Sequence, residues 1–186
     1  MHEKQGRERK FNFRDEEGFA EPDAQWMFGM WLELGERVYD QIEHVPAATL
    51  NLKPNGSYLS PARVVLHLIG SDLRSFKTMA GQFPQAGYHS LVEKTTSTDF
   101  ETMQTEQIDV LGILKQHLVF RKNELLSRCH EPGFLDKPVD HPSFAINRDL
   151  LGHQIWHWSF HSGHIGAATL ELGYEYHWTS SKRQGK

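Results

Sequence analysis

At 186 residues, with 38% hydrophobic and 24% charged side chains, the chain has the composition of a single soluble globular domain and is too short to make two domains the natural reading. A net charge of −4 and a pI near 6.3 give no electrostatic reason to expect nucleic acid or an anionic membrane as a partner. A single cysteine, Cys129, excludes an internal disulfide framework, and no apolar leader is legible, so a reducing, cytoplasmic setting is expected.

In chain order, residues 1–22 are rich in charge and poor in apolar side chains, which predicts a flexible lead-in to one domain spanning 23–178. The first helix is expected from about Asp23 to His44. Met27, Met30, Leu34, Val38 and Ile42 fall on one face of it, Asp23 serves as N-cap and Pro46 limits the far end. Leu52-Lys53-Pro54-Asn55-Gly56-Ser57 reads as a turn. A second helix is expected from Ser60, an N-cap followed by Pro61, to about Ala80, with Gly81 and Pro84 ending it. The third covers roughly Asp99 to Cys129 on a stripe of Ile108, Leu111, Leu114, Leu118, Leu125 and Cys129. Three prolines and a glycine make 130–146 a long loop. The fourth helix starts with Asn147 as N-cap and reaches about Leu172, Gly173 being its stop signal, and 179–186 form a polar tail. No stretch reads as a strand, so the fold class is all-α, a four-helix bundle.

The last helix is the informative one. Between Leu150 and Leu172 only Glu171 is formally charged, which predicts a helix packed on several sides inside the bundle; its four histidines argue against a membrane span. At 100° per residue, His153, His164, His157 and His161 form one narrow stripe. Buried imidazoles need partners, and a metal ion serves two or three at once. His157 and His161 stand one turn apart, the spacing from which two rings reach one ion. Spacing alone leaves the alternative of satisfied core histidines equally open, and His153 and His164 individually read as supporting or core residues. Neither a His-Glu-x-x-His protease helix nor a Glu-x-x-His di-iron element is present.

The second helix contains Leu66-His67-Leu68-Ile69, and the last reads His157-Trp158-Ser159-Phe160-His161-Ser162-Gly163-His164-Ile165. Together with the turn at 52–57, these segments resemble the DinB-like superfamily, also called YfiT-like metal-dependent hydrolases, over about residues 23–174. The second pattern is similar to the family's H-x-x-x-H-x-G-Q-I, with His164 where glutamine is usual. The resemblance implies a helical bundle of the DinB type with His67, His157 and His161 as the ligands of one metal ion, and a homodimer as the assembly.

Three histidines on a divalent ion leave a coordination position open, as in catalytic rather than closed structural sites. Zinc is the first expectation, and nickel or iron also accept imidazole. The function implied is a metal-dependent enzyme activating a thiol or water, of the thiol S-transferase or hydrolase type, acting with a low-molecular-weight thiol or another small-molecule substrate. The alternative is a non-enzymatic metal-binding or dimerising bundle. A pocket reaching the site from solvent favours the enzyme; a site sealed by Trp156, Trp158 or Phe160 favours the structural role. Cys129 reads as a buried core thiol, while His130 and His141 flank the long loop where a site entrance would be.

Overall fold

The structure, a computed structural model, describes residues 21–56, 59–80, 107–125 and 131–176. Residues 1–20 of the expected lead-in, the polar tail, Cys129 and His130 lie outside the described residues. Helix α1 runs Pro22–Ile42, α2 is the single turn Ala47–Leu50, α3 runs Pro61–Ala80, α4 runs Val110–Phe120 into a π-helical turn Arg121–Leu125, and α5 runs Asn147–Glu171. Among the described residues there is no strand, only an isolated antiparallel bridge between Pro138 and Ile146. The fold is all-α.

The helix starts explain several departures from the sequence expectation. Pro22, not Asp23, opens α1, its fixed φ suiting the first helical position, and Asp23 inside the first turn instead pairs with Arg148 at 2.9 Å. Ser60 does cap α3, its hydroxyl accepting from the Arg63 amide at 3.4 Å. The third helix does not run continuously from Asp99, because 107–109 are not helical. The side-chain amide of Asn51 pairs with both the N–H and the C=O of Ile108 at 3.1 Å, holding that peptide out of a helix. Asp109 then caps α4 by accepting from Gly112 at 3.0 Å. Ile146 rather than Asn147 occupies the N-cap of α5. Asp149 reaches back to the amides of Ala145 and Ile146, which frees Asn147 to turn inward and donate to the Phe134 carbonyl.

Side-chain pairings fix the helix directions. Along α5, Arg148 meets Asp23, Gly152 approaches Met27 and Gly166 approaches Gln41, so α1 and α5 run parallel. Against α3 the order reverses, with Gln154 bonded to Ser71 and Ser75 and with His157 meeting His67, so α3 is antiparallel to α5. Gly35 faces Leu118 and Arg121 while Trp31 also meets Arg121, and Phe76 meets Phe120, which sets α4 antiparallel to α1 and alongside α3 in the same sense.

Phe28, Trp31, Val38 and Ile42 of α1, Val65, Leu68, Ile69 and Leu73 of α3, Leu114 of α4 and Leu151, Trp158 and Ile165 of α5 form the core, closed at one end by Phe134 and Leu135. One expectation fails here. The last helix is not wrapped on several sides: it buries one face and exposes Trp156, Phe160 and Leu170, each about half accessible. Its near-absence of formal charge reflects an apolar outer face as well as an apolar inner one. Among the described residues no helix is long and apolar enough to cross a membrane.

Candidate metal centre

Two polar clusters lie between the same helices, about a turn and a half apart along α3. The inner one is built on Asp72, buried at 1% exposure. Its Oδ1 accepts from the indoles of Trp31 at 3.1 Å and Trp158 at 2.8 Å; its Oδ2 accepts from Nε of Arg121 at 2.8 Å and is paired with its terminal nitrogen and with His117 Nε2. Arg121 also donates to the Trp31 carbonyl at 2.8 Å and lies over the rings of Trp31 and Trp158, 4.6 and 4.0 Å from their centres. Burial pushes the Asp72 carboxyl up, but the Arg121 guanidinium and the hydrogen bonds from His117 and Trp158 outweigh it and hold the pKa below the ordinary carboxylate value. Burial lowers the His117 pKa more than Asp72 raises it, which keeps the ring neutral and donating from Nε2. One carboxylate thus joins α1, α3, α4 and α5. Gly35 makes this hub attainable, since a Cβ there would press on Arg121 and stand 2.7 Å from Leu118.

The outer cluster is the histidine set expected from the sequence. α3 supplies His67 from the edge of its buried face, and α5 supplies His157 and His161 one turn apart. Each ring offers a nitrogen, and the three atoms lie within 4.8 Å of one another. Nε2 of His67 and Nε2 of His157 are 3.0 Å apart, and the three ring centres are separated by 4.7 to 5.0 Å with edge-on orientations. Two nitrogens at about 2.0–2.1 Å from one tetrahedral ion stand roughly 3.3 Å apart, so the His67–His157 pair needs to open by a few tenths of an ångström while the wider spacing within the set, up to 4.8 Å, needs to close. Chemistry and geometry both fit a divalent ion.

Protonation favours the same use. Burial lowers the pKa of His157 to about 4, with His161, His67 and His153 adding to the effect. His161 falls to about 4 by burial and by the neighbouring His67 and His164. His67 is lowered by burial and by the charge of Arg74. All three rings are neutral near pH 7, each with a lone pair to give. His157 Nδ1 is buried without a hydrogen-bond partner among the described residues, so the usual carbonyl or carboxylate behind a ligand ring is replaced here by packing, notably the His153 ring stacked 5.5 Å away. On the other side, Nδ1 of His164 stands 3.1 Å from Nδ1 of His161 and limits the rotation of that ring. His153 and His164 therefore flank the triad.

The site is not sealed. Trp158 points inward to Asp72, and Trp156 and Phe160 stack on each other in solvent, ring centres 5.3 Å apart. A pocket of about 410 Å³, lined by Leu59, Val64, Ala167 and Ala168, includes His161 and His164 in its wall. A second of about 740 Å³ begins beside His153 and extends past Gln154 to Arg74. His141 lines this second pocket.

The Asp72 hub and the polar lining around Gln154 escaped the sequence reading. His117 and Arg121 fall at i+3 and i+7 from the apolar Leu114, so a polar group in phase with a buried stripe was the signal that would have found them. Compared with protein-family models the chain matches none, and a comparison with curated proteins likewise gives no match.

Proposed function

We propose that the protein binds one divalent metal ion on His67, His157 and His161 and works as a metal-dependent enzyme that activates a thiol or water, of the DinB-like type its motifs resemble. The observation that carries this reading is the meeting of three neutral imidazole nitrogens from two antiparallel helices within 4.8 Å, beside an open pocket. Zinc is the first choice, with nickel and iron acceptable to the same donors. Such an ion, held by uncharged ligands, supplies Lewis acidity that lowers the pKa of a water or thiol entering its free coordination position.

The chain's own groups set the terms for that chemistry. The lowered histidine pKa values keep protons from competing for the donor nitrogens near neutral pH. His164 steadies His161, and His153 packs on His157, so the donors are oriented before an ion arrives. The pocket wall formed by Val64, Ala167 and Ala168 places apolar surface beside His161. The open approach favours an enzyme over a purely structural metal site. The half-exposed Trp156 and Phe160 supply the apolar surface that a homodimer of such bundles would use.

Elemental analysis of tag-free protein by inductively coupled plasma mass spectrometry, beside the His157→Ala variant, tests the reading. Near-stoichiometric metal in the parent and its loss in the variant are expected. No metal in either protein after incubation with zinc or nickel would overturn it.

A further inference from the structure

The larger pocket is where the molecule's remaining polar chemistry gathers. At about 740 Å³ it has the size of a small-molecule site. Its floor is the buried set Ser71, Ser75 and Gln154, in which the Gln154 amide accepts from Ser71 at 3.2 Å and donates to Ser75 at 2.6 Å. With the amide oxygen and nitrogen each tied to a serine of α3, that floor is held in place. One side carries Arg74 and Lys77 on the exposed edge of α3; the other is the 140–144 segment with Asp140, His141 and Phe144. The segment is itself anchored, since Val139 bonds Ala145 at 3.0 Å and His141 Nδ1 accepts from the Ser143 amide at 3.1 Å. This wall is preformed.

Charge and position give the pocket a preference. Arg74 and Lys77 share its lining with one carboxylate, Asp140, and an ion on the triad would add two further positive charges beyond the His153 ring that stacks on His157. Its inner wall is His153, whose ring stacks on His157. Arg74 lies seven residues, two turns or about 10 Å of helix, from His67, and its flexible side chain reaches back over that distance. A compact molecule with an anionic group at one end and a metal-seeking group at the other spans the gap.

We propose that this pocket binds the carboxylate of the small molecule that works at the histidine triad, with Arg74 as the main anchor and Lys77 as its auxiliary. Arg74 offers a planar fork of donors that matches a carboxylate, whereas Lys77 contributes a point charge. The carboxylate belongs either to a thiol or to the compound with which a thiol or water reacts; recognition is the same in both cases. The inference rests on the metal reading for the inner end of the ligand and stands on the pocket alone for the outer end.

Calorimetric titration separates the two ends. Mercaptosuccinate is the probe that carries both groups, with 2-mercaptoethanol as the thiol without a carboxylate and succinate as the carboxylate without a thiol. Each is titrated into zinc-loaded and metal-free protein, with Arg74→Gln and Lys77→Gln as variants on an exposed helix edge. Arg74→Gln is expected to weaken mercaptosuccinate and succinate about tenfold in both forms, the loss of one charge-assisted pair, while leaving 2-mercaptoethanol unchanged. Lys77→Gln gives a smaller loss in the same direction. If mercaptosuccinate binds equally with and without zinc but still depends on Arg74, the metal reading fails and the carboxylate pocket stands. If Arg74→Gln leaves the affinity for both carboxylates unaltered, or if neither carboxylate binds the parent protein, the proposal is overturned. If 2-mercaptoethanol binds the loaded protein as tightly as mercaptosuccinate does, the anionic anchor is likewise wrong.

Discussion

The Asp72 hub and the histidine triad share α3 and α5 and even use neighbouring residues, Trp158 serving the one and His157 the other, yet their inventories are opposite. Around Asp72 the carboxylate is answered by two indoles, a guanidinium and an imidazole, so charge and hydrogen bonds are balanced without any outside group. Around His67 three neutral rings each bring one lone pair and one N–H, their nitrogens converge within 4.8 Å, and one buried nitrogen has no partner among the described residues. A polar cluster closed around its own charge holds a fold together; one whose uncharged lone pairs converge is set for a cation.

That contrast predicts different consequences when each is disturbed. Asp72→Ala leaves the Arg121 guanidinium buried without its counter-charge and should cost about 3–5 kcal/mol, read as a shift in urea unfolding. A loss below about 1 kcal/mol would show that the hub is not what joins the four helices. His157→Ala should change the unfolding of metal-free protein far less. Its effect should emerge when zinc is added, because the parent gains about 2.7 kcal/mol at a hundredfold excess over the dissociation constant and the variant gains nothing. Were the metal-free variant as unstable as Asp72→Ala, the triad would be core structure.

Acid separates the clusters again. His157 and His161 have folded pKa values of about 4 against 6.5 in the unfolded chain, so the unfolded state takes up protons first as the pH falls. Their contribution to stability is complete above about pH 6.5 and is lost progressively down to about pH 4. Thermal unfolding of the metal-free protein across that range should show the decline, and bound zinc should delay it to lower pH. The smallest effect is expected from the same kind of pair in solvent: Lys137→Ala removes an exposed contact with Glu131 and should cost less than about 1 kcal/mol by the same urea assay.

The triad was legible because His157 and His161 carry their relation in their spacing, and because Leu66-His67-Leu68-Ile69 resembles a known ligand segment. The all-α class and the span of α3 were legible for a similar reason, each resting on local periodicity and on turn residues such as Pro61. What escaped depends on partners far away in the chain. Ile108 looks helical until the Asn51 amide claims its peptide group, and Arg121 looks like a solvated surface residue until Asp72 and the space left by Gly35 receive it. The outer face of α5 misled in the other direction. Trp156 and Phe160 are apolar enough to read as core, and only the placement of the other helices reveals that nothing among the described residues covers them fully. The Arg74 pocket is a meeting of α3, α5 and the 140–144 segment, and no single stretch of sequence contains it.

The last helix delivers Trp158 to the hub and His157 and His161 to the triad, while every other member of both clusters lies at or before residue 121. During synthesis neither cluster can therefore be completed until α5 has left the ribosome. Both clusters close in one late, non-local step, slow for a helical protein because it joins residues 86 and 90 positions apart. A growing chain would thus complete its histidine triad and its buried hub together, and a nascent chain halted before α5 would have neither.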